Sequence, residues 1–260
     1  VVKGNYTPAN PTSATEIGLN LTAITEREPD YQWTVNGVAQ EVNKPVLKPN
    51  RFRRGDTVFC NIMIDGKISR KIGPIVIGNA KPVIRSASIE PESPRTGNEL
   101  SINADVYDVD NEDIEFIVKW FINDNTPVES ENLSGNAFKA GDEIYAEVTP
   151  YDGQDIGTPV NTGRIVVQNT SPEITSSFPS IEGRNLRYEI NTRDADGDSV
   201  HLSLLDGPGG MRMEGNALVW EAPELEKDST FTMIVVAEDD RGGRTKKILQ
   251  VNLKRSKIEE

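Results

Sequence analysis

Apolar and polar residues alternate with period two along most of this 260-residue chain, the pattern of strands with one buried face. Leu100, Ile102, Ala104 and Val106 alternate with Ser101, Asn103 and Asp105. Ile17, Leu19, Leu21 and Ala23 form a similar run near the start, and Ile144, Ala146 and Val148 form another further on. Gly-Asp, Asp-Gly and Pro-containing clusters fall between the runs and supply the turn chemistry that hairpins need. No segment combines helical periodicity with caps. The pattern predicts an all-β protein.

The runs also repeat. "QWTVNG" at 32–37 returns as "KWFIND" at 119–124, which maps Trp33 onto Trp120, 87 positions later. "RGDTVFCNIMIDG" (54–66) returns as "AGDEIYAEVTPYDG" (140–153), and "IGNAKPVI" (77–84) as "VQNTSPEI" (167–174). "NYTPANP" (5–11) is echoed by "SIEPESP" (88–94). A fixed repeat of this length marks tandem modules. It divides the chain into units at 1–80, 81–170 and 171–260.

About 85 residues, roughly seven short strands and a Trp on the strand after an acidic loop describe an immunoglobulin-like sandwich. Trp33 and Trp120 stand where such folds bury a Trp on the third strand, and Cys60 stands in place of a core alanine. With one cysteine in the chain there is no inter-sheet disulfide. The third unit differs. Its Asp194-x-Asp196-Gly197-Asp198, Pro208-Gly209-Gly210-Met211, Leu218-Val219-Trp220 and Ala237-x-Asp239-x-x-Gly242 segments resemble the bacterial Ig-type repeats related to dystroglycan-type cadherin-like domains. The first two units resemble the looser Ig-like modules of bacterial surface proteins. These resemblances imply three tandem Ig-like or cadherin-like β-sandwiches in an elongated rod. Short Pro-containing linkers, "NAKP" and "NTSP", would hold neighbouring units in near-fixed orientation.

Net charge narrows the partners. At −13 the surface repels nucleic-acid phosphates and anionic lipid, while cations become natural small partners. No apolar run reaches the roughly 18 residues of a bilayer span, so direct membrane insertion is not expected. A lone Cys60 and a lone His201 leave no thiolate or His-rich metal site.

Candidate chemistry concentrates in two acidic loops, "DVDNED" (108–113) and "DADGDS" (194–199). In a sandwich each lies between the second and third strands, at the end where the chain enters the unit. The turn between the last two strands lies at the same end and brings Asp152 in the second unit, and Asp239 and Asp240 in the third. Each linker passing this end carries an Asn, Asn79 or Asn169. Asp108, Asp110, Asp113, Asp152 and Asn79 thus form one candidate ligand set, and Asp194, Asp196, Asp198, Asn169, Asp239 and Asp240 the other. Calcium, which takes six to eight oxygens in flexible geometry, is the candidate ion. Cadherin-type repeats place Asp-x-Asp beside the preceding linker in this way. An EF-hand does not fit, because its twelfth position would be Lys119 or Leu205. The competing reading is structural: Asp, Asn and Gly are ordinary turn formers whose side chains cap their own backbone. Against it, Thr25 and Arg27 replace the Asp-x-Asp pair in the first unit, where no unit precedes in this chain.

The remaining motifs change little. "RRGD" (53–56) aligns with "KAGD" (139–142), so its Gly-Asp serves a turn. A glycosidase carboxylate pair needs an aromatic-walled cleft, and only 6% of the chain is aromatic. The expectation is a non-catalytic structural or adhesive protein that is extracellular, at the cell surface or periplasmic, with a protein or glycan partner there. The alternative is a ligand-binding module of a larger secreted protein, for which Tyr107, Tyr145 and Tyr151 would be the candidate aromatic platform.

Overall fold

The computed structural model describes residues 2–23, 27–177, 184–225 and 227–253. Thr25 lies outside them. Among the described residues all regular structure is β apart from one 3₁₀ turn at Pro49–Arg51.

In the first unit, β1 (Val2–Thr7), β2 (Ile17–Ala23), β3 (Asp30–Val35), β4 (Val38–Ala39), β5 (Val46–Leu47), β6 (Thr57–Ile64) and β7 (Lys67–Val76) form two antiparallel sheets. Their orders are β1-β2-β5 and β4-β3-β6-β7. The period-two pattern is realised directly: Val58, Cys60 and Ile62 of β6 are fully buried. Trp33 on β3 pairs with Cys60 across the ladder and is fully buried. Its indole N–H donates to the Lys44 carbonyl at 2.9 Å, so the one polar atom of a large core side chain is satisfied.

The second unit repeats the plan. β8 (Val83–Glu90) pairs with β9 (Ser101–Tyr107). β10 (Glu115–Ile122), β11 (Val128–Glu129), β12 (Glu143–Tyr151), β13 (Val160–Asn161) and β14 (Ile165–Val166) make the second sheet. Trp120 faces Ala146 as Trp33 faces Cys60, and donates to the Ser130 carbonyl at 3.0 Å. The Gly-Asp turns also match. Gly55 and Gly141 have φ of +82° and +89°, and Asp56 and Asp142 accept from the backbone N–H three residues earlier at 2.7 and 2.9 Å.

The third unit has a different sheet division. β15 (Glu173–Ile174) pairs with β17 (Thr192–Arg193); β16 (Asn185–Glu189) and β19 (Arg212–Glu214) flank β20 (Ala217–Glu221); β18 (Val200–Asp206) and β22 (Arg244–Leu253) flank β21 (Ser229–Asp239). Trp220 is buried on β20, edge-on to Phe231 at 4.9 Å between centroids.

Buried apolar side chains fall into three separate clusters, spanning Ile17 to Ile77, Ile84 to Val167 and Ile174 to Leu253. The chain exposes 15967 Å². A compact protein of 28.7 kDa would expose about 11,000 Å², and the excess is what small sandwiches in tandem produce.

Candidate metal centres at the two junctions

The acidic loops lie against the linkers, and both junctions use one hydrogen-bond plan. At the first, the Asn79 amide donates to Asp152 Oδ2 at 2.8 Å and to Asp155 Oδ2 at 3.0 Å. The Ala80 N–H donates to Asp110 Oδ2 at 2.9 Å, and the Asp110 N–H to Asp108 Oδ1 at 2.6 Å. At the second, the Asn169 amide donates to Asp239 Oδ2 at 2.9 Å, the Thr170 N–H to Asp196 Oδ2 at 2.6 Å, and the Asp196 N–H to Asp194 Oδ1 at 2.8 Å. Asp152 and Asp239 each take two backbone N–H groups of their own turn on the other oxygen. The carboxylates therefore act first as acceptors that fasten linker to loop.

Burial and hydrogen bonding pull the acidities apart. Burial would raise Asp152, but the Asp155 N–H, the Asn79 amide and the Gln154 N–H outweigh it and hold its carboxyl below the ordinary range. Asp239 behaves the same way: the Asn169 amide and the Gly243, Arg241 and Gly242 N–H groups overcome its burial. Asp108 goes up, chiefly through burial, with Asp110 and Asp152 adding like charge.

Carboxylate oxygens converge in two groups. One oxygen each from Asp108, Glu112 and Asp152 lie within 4.8 Å of one another, as do oxygens from Asp194, Asp196 and Asp198. Glu112 was not anticipated; Asp113 was, and it is exposed, outside the group. The spacing carried the signal, since Asp198 aligns with Glu112 and alternate residues of each loop share a side. Asp240 also stays outside, exposed, with its Oδ1 3.3 Å from His201 Nε2. Asp110 lies at the first junction, where its Oδ2 also accepts from Ser13 Oγ at 2.7 Å.

The junctions differ in how many acceptors are used. At the second, Asn169 Oδ1, Asp194 Oδ2, Asp196 Oδ1 and Asp198 Oδ2, with the linker hydroxyl Thr170 Oγ1, are buried with no hydrogen-bond partner among the described residues. Asp198 Oδ2 does lie 3.0 Å from Arg241 Nε, an ion pair by distance without hydrogen-bond alignment. At the first, only Asp108 Oδ2 and Glu112 Oε2 are left so. Asn79 Oδ1 accepts from Arg54 Nη1 at 2.8 Å, and Arg54 also pairs with Glu112. A buried acceptor without a donor costs about 1–3 kcal/mol, more when charged. The four carboxylate and amide oxygens in that state suit a calcium ion in kind, and water would complete its six to eight ligands.

The three candidate tyrosines divide between the two sheets of the second unit, Tyr107 on β9 and Tyr145 and Tyr151 on β12. Tyr145 stacks on Phe121 with centroids 4.6 Å apart and lies under Arg164, Tyr107 lies under Arg85, and the Tyr151 hydroxyl donates to the Gly153 carbonyl. Cys60 is fully buried, and burial pushes its thiol up to about 12.

No family model matches the sequence, and no curated protein gives a significant match. Among solved structures, the chain is similar to the three N-terminal domains of the highly immunogenic outer capsid protein (Hoc) of bacteriophage RB49, at 12% identity over 98% of both chains and a TM-score of 0.31. It is similar to the N-terminal eight Ig domains of Down Syndrome Cell Adhesion Molecule at 12% identity over 96% of this chain and 36% of that one, with a TM-score of 0.42. Cadherin domains 3–6 of protocadherin gamma B2 align at 12% identity over 98% and 77%, with a TM-score of 0.28. The likenesses are to tandem Ig and cadherin domains and concern the type of fold alone.

Proposed function

We propose that this chain is a non-catalytic segment of an exported surface or envelope protein. It works as a stiff structural or adhesive spacer, and its second junction binds calcium. The observation that carries the reading is the set of four buried oxygens without aligned donors at that junction, contributed by the linker residue Asn169 and by Asp194, Asp196 and Asp198. The acidic clusters also lie under linkers rather than in a substrate cleft, which suits a hinge and not a catalytic site. Bound calcium would neutralise carboxylates that repel one another and tie the linker to the loop through a shared ion. A protein or glycan partner would then meet a surface held at fixed distance from its anchor.

Modules of this class bind calcium at ~10⁻⁴–10⁻³ M. Binding stabilises the native state by RT ln(1 + [L]/Kd), about 1.4 kcal/mol at a tenfold excess over Kd. Millimolar calcium is therefore expected to raise the melting temperature, with reversal by chelator. Asp196→Asn should remove the response while leaving the third unit folded. A melting curve indifferent to calcium would leave the loops as acidic turns and refute the metal reading.

A further inference from the structure

The two junctions share their turns and linker asparagines, yet they differ in what reaches the linker side-chain oxygen: Arg54 in the first aligns with Ala140 in the second. The turns that launch these residues match in detail. Gly55 N–H donates to Ile77 O at 2.8 Å and Gly141 N–H to Val167 O at 2.9 Å. From the first turn, the Arg54 guanidinium reaches the linker and the loop together, bonding Asn79 Oδ1 and pairing with Glu112. Ala140 is buried and too short to reach either, and the matching oxygen, Asn169 Oδ1, has no donor.

We infer that Arg54 is a resident cation that takes the place of a metal ion at the first junction. That hinge is then held by protein alone, and only the second answers to calcium. The second half of this statement rests on the calcium reading above; the first half does not. A guanidinium keeps its charge at any physiological pH and its fork can span two acceptors. Unlike calcium it cannot be chelated, so the first hinge keeps its clamp when free calcium falls.

The guanidinium leaves a suppressed site behind it. Asp108 is 6% exposed, with Oδ2 lacking a donor, and Glu112 Oε2 is buried in the same state. These two oxygens and the Asn79 oxygen that Arg54 now holds correspond to Asp194, Asp198 and Asn169 of the second junction. At the second junction two guanidiniums divide that part, Arg95 bonding the Asn169 carbonyl and Arg241 pairing with Asp198 while lying against Gly141 of the second unit, and neither reaches Asn169 Oδ1, which remains without a donor. Removing Arg54 should therefore convert the first junction into a second calcium site.

The test is calorimetric calcium titration of the full chain as wild type, Arg54→Ala and Arg54→Lys, with spin-label distances across the first junction measured in chelator. The expected result is one ion per wild-type chain, lost in Asp196→Asn, and two per Arg54→Ala chain, the second lost when Asp108→Asn is added. In chelator, Arg54→Ala should broaden the distance distribution between the first two units, with Arg54→Lys intermediate, because an ammonium is a point charge. Two ions in wild type, or one in both wild type and Arg54→Ala, would overturn the inference. So would an unchanged distance distribution in Arg54→Ala. No ion in wild type but one in Arg54→Ala would uphold Arg54 as the plug and refute calcium at the second junction. No ion in either would refute both metal claims, leaving the clamp to be decided by the distances.

Discussion

Gly243→Ala adds a single methyl group at the second junction, and its cost can be worked from the packing. A Cβ at Gly243 would overlap Asp239 Oδ2 outright and stand 2.7 Å from Asn169 Nδ2 and 3.0 Å from Ser171 Cα. Asp239 cannot easily swing away, because Oδ1 accepts from the Arg241 and Gly243 N–H groups, both at 2.8 Å. The third neighbour is backbone. The methyl therefore displaces the Asn169–Asp239 hydrogen bond, worth about 1.5–3 kcal/mol with a charged acceptor. It adds overpacking of about 1–3 kcal/mol. Against this, alanine restricts the unfolded chain and returns about 0.4–1 kcal/mol. The net loss should be about 1.5–5.5 kcal/mol. Hydrogen exchange of β21, read by mass spectrometry, isolates the third unit and should speed up at least roughly tenfold, at 1.4 kcal/mol per tenfold. Gly209→Ala is the control, because nothing lies within 4 Å of its Cβ position, and it should stay within about 0.5 kcal/mol of wild type. A neutral or stabilising Gly243→Ala would mean that Asn169 and Asp239 are not clamped as described.

Trp33→Ala and Trp120→Ala should each cost about 3–5 kcal/mol in their own unit, measured by denaturant unfolding; a near-neutral result would put that indole outside the core. The pKa values of Asp152 and Asp239 are held below their unfolded values, so their stabilisation is present above the unfolded value of about 3.9 and is lost as pH falls through the lower folded values. Melting curves between pH 5 and 2 should show that acid loss, and Asp239→Asn should flatten it. Arg241→Ala removes the cation paired with Asp198 and should tighten calcium at the second junction in a titration; weaker binding would mean that Arg241 helps to hold the ion. Cys60, buried and with its thiol pushed up to about 12, should resist thiol reagents at neutral pH until the first unit unfolds.

Much of the fold was legible because burial on one face of a strand imposes a period that survives in sequence. Ile144, Ala146 and Val148 read as inward-facing and are fully buried, and the Trp33–Trp120 repeat places the same indole against the same ladder position. The junction was legible in part. Asp-x-Asp and the linker asparagines were apparent, but spacing had to separate Glu112 from Asp113, and only the alignment of Asp198 with Glu112 does so. Arg54 was not legible as a functional residue. Its Arg-Gly-Asp context explains the turn, while its contacts lie on the linker at Asn79 and on the next unit at Glu112, 25 and 58 residues away. Asp240, the first residue beyond β21, lies outside the group for a related reason: Asp239 at the strand end turns inward, while Asp240 opens the turn and meets His201.

Small-angle scattering of the full chain, with millimolar calcium and with chelator, tests the spacer most directly. Strands of eight or nine residues at about 3.3 Å each give units near 30 Å long, and three in line give a maximum dimension of roughly 100 Å. That length is expected in calcium, with a broader distribution in chelator as the second hinge loosens and the first, held by Arg54, does not. A compact globule in calcium would contradict the account.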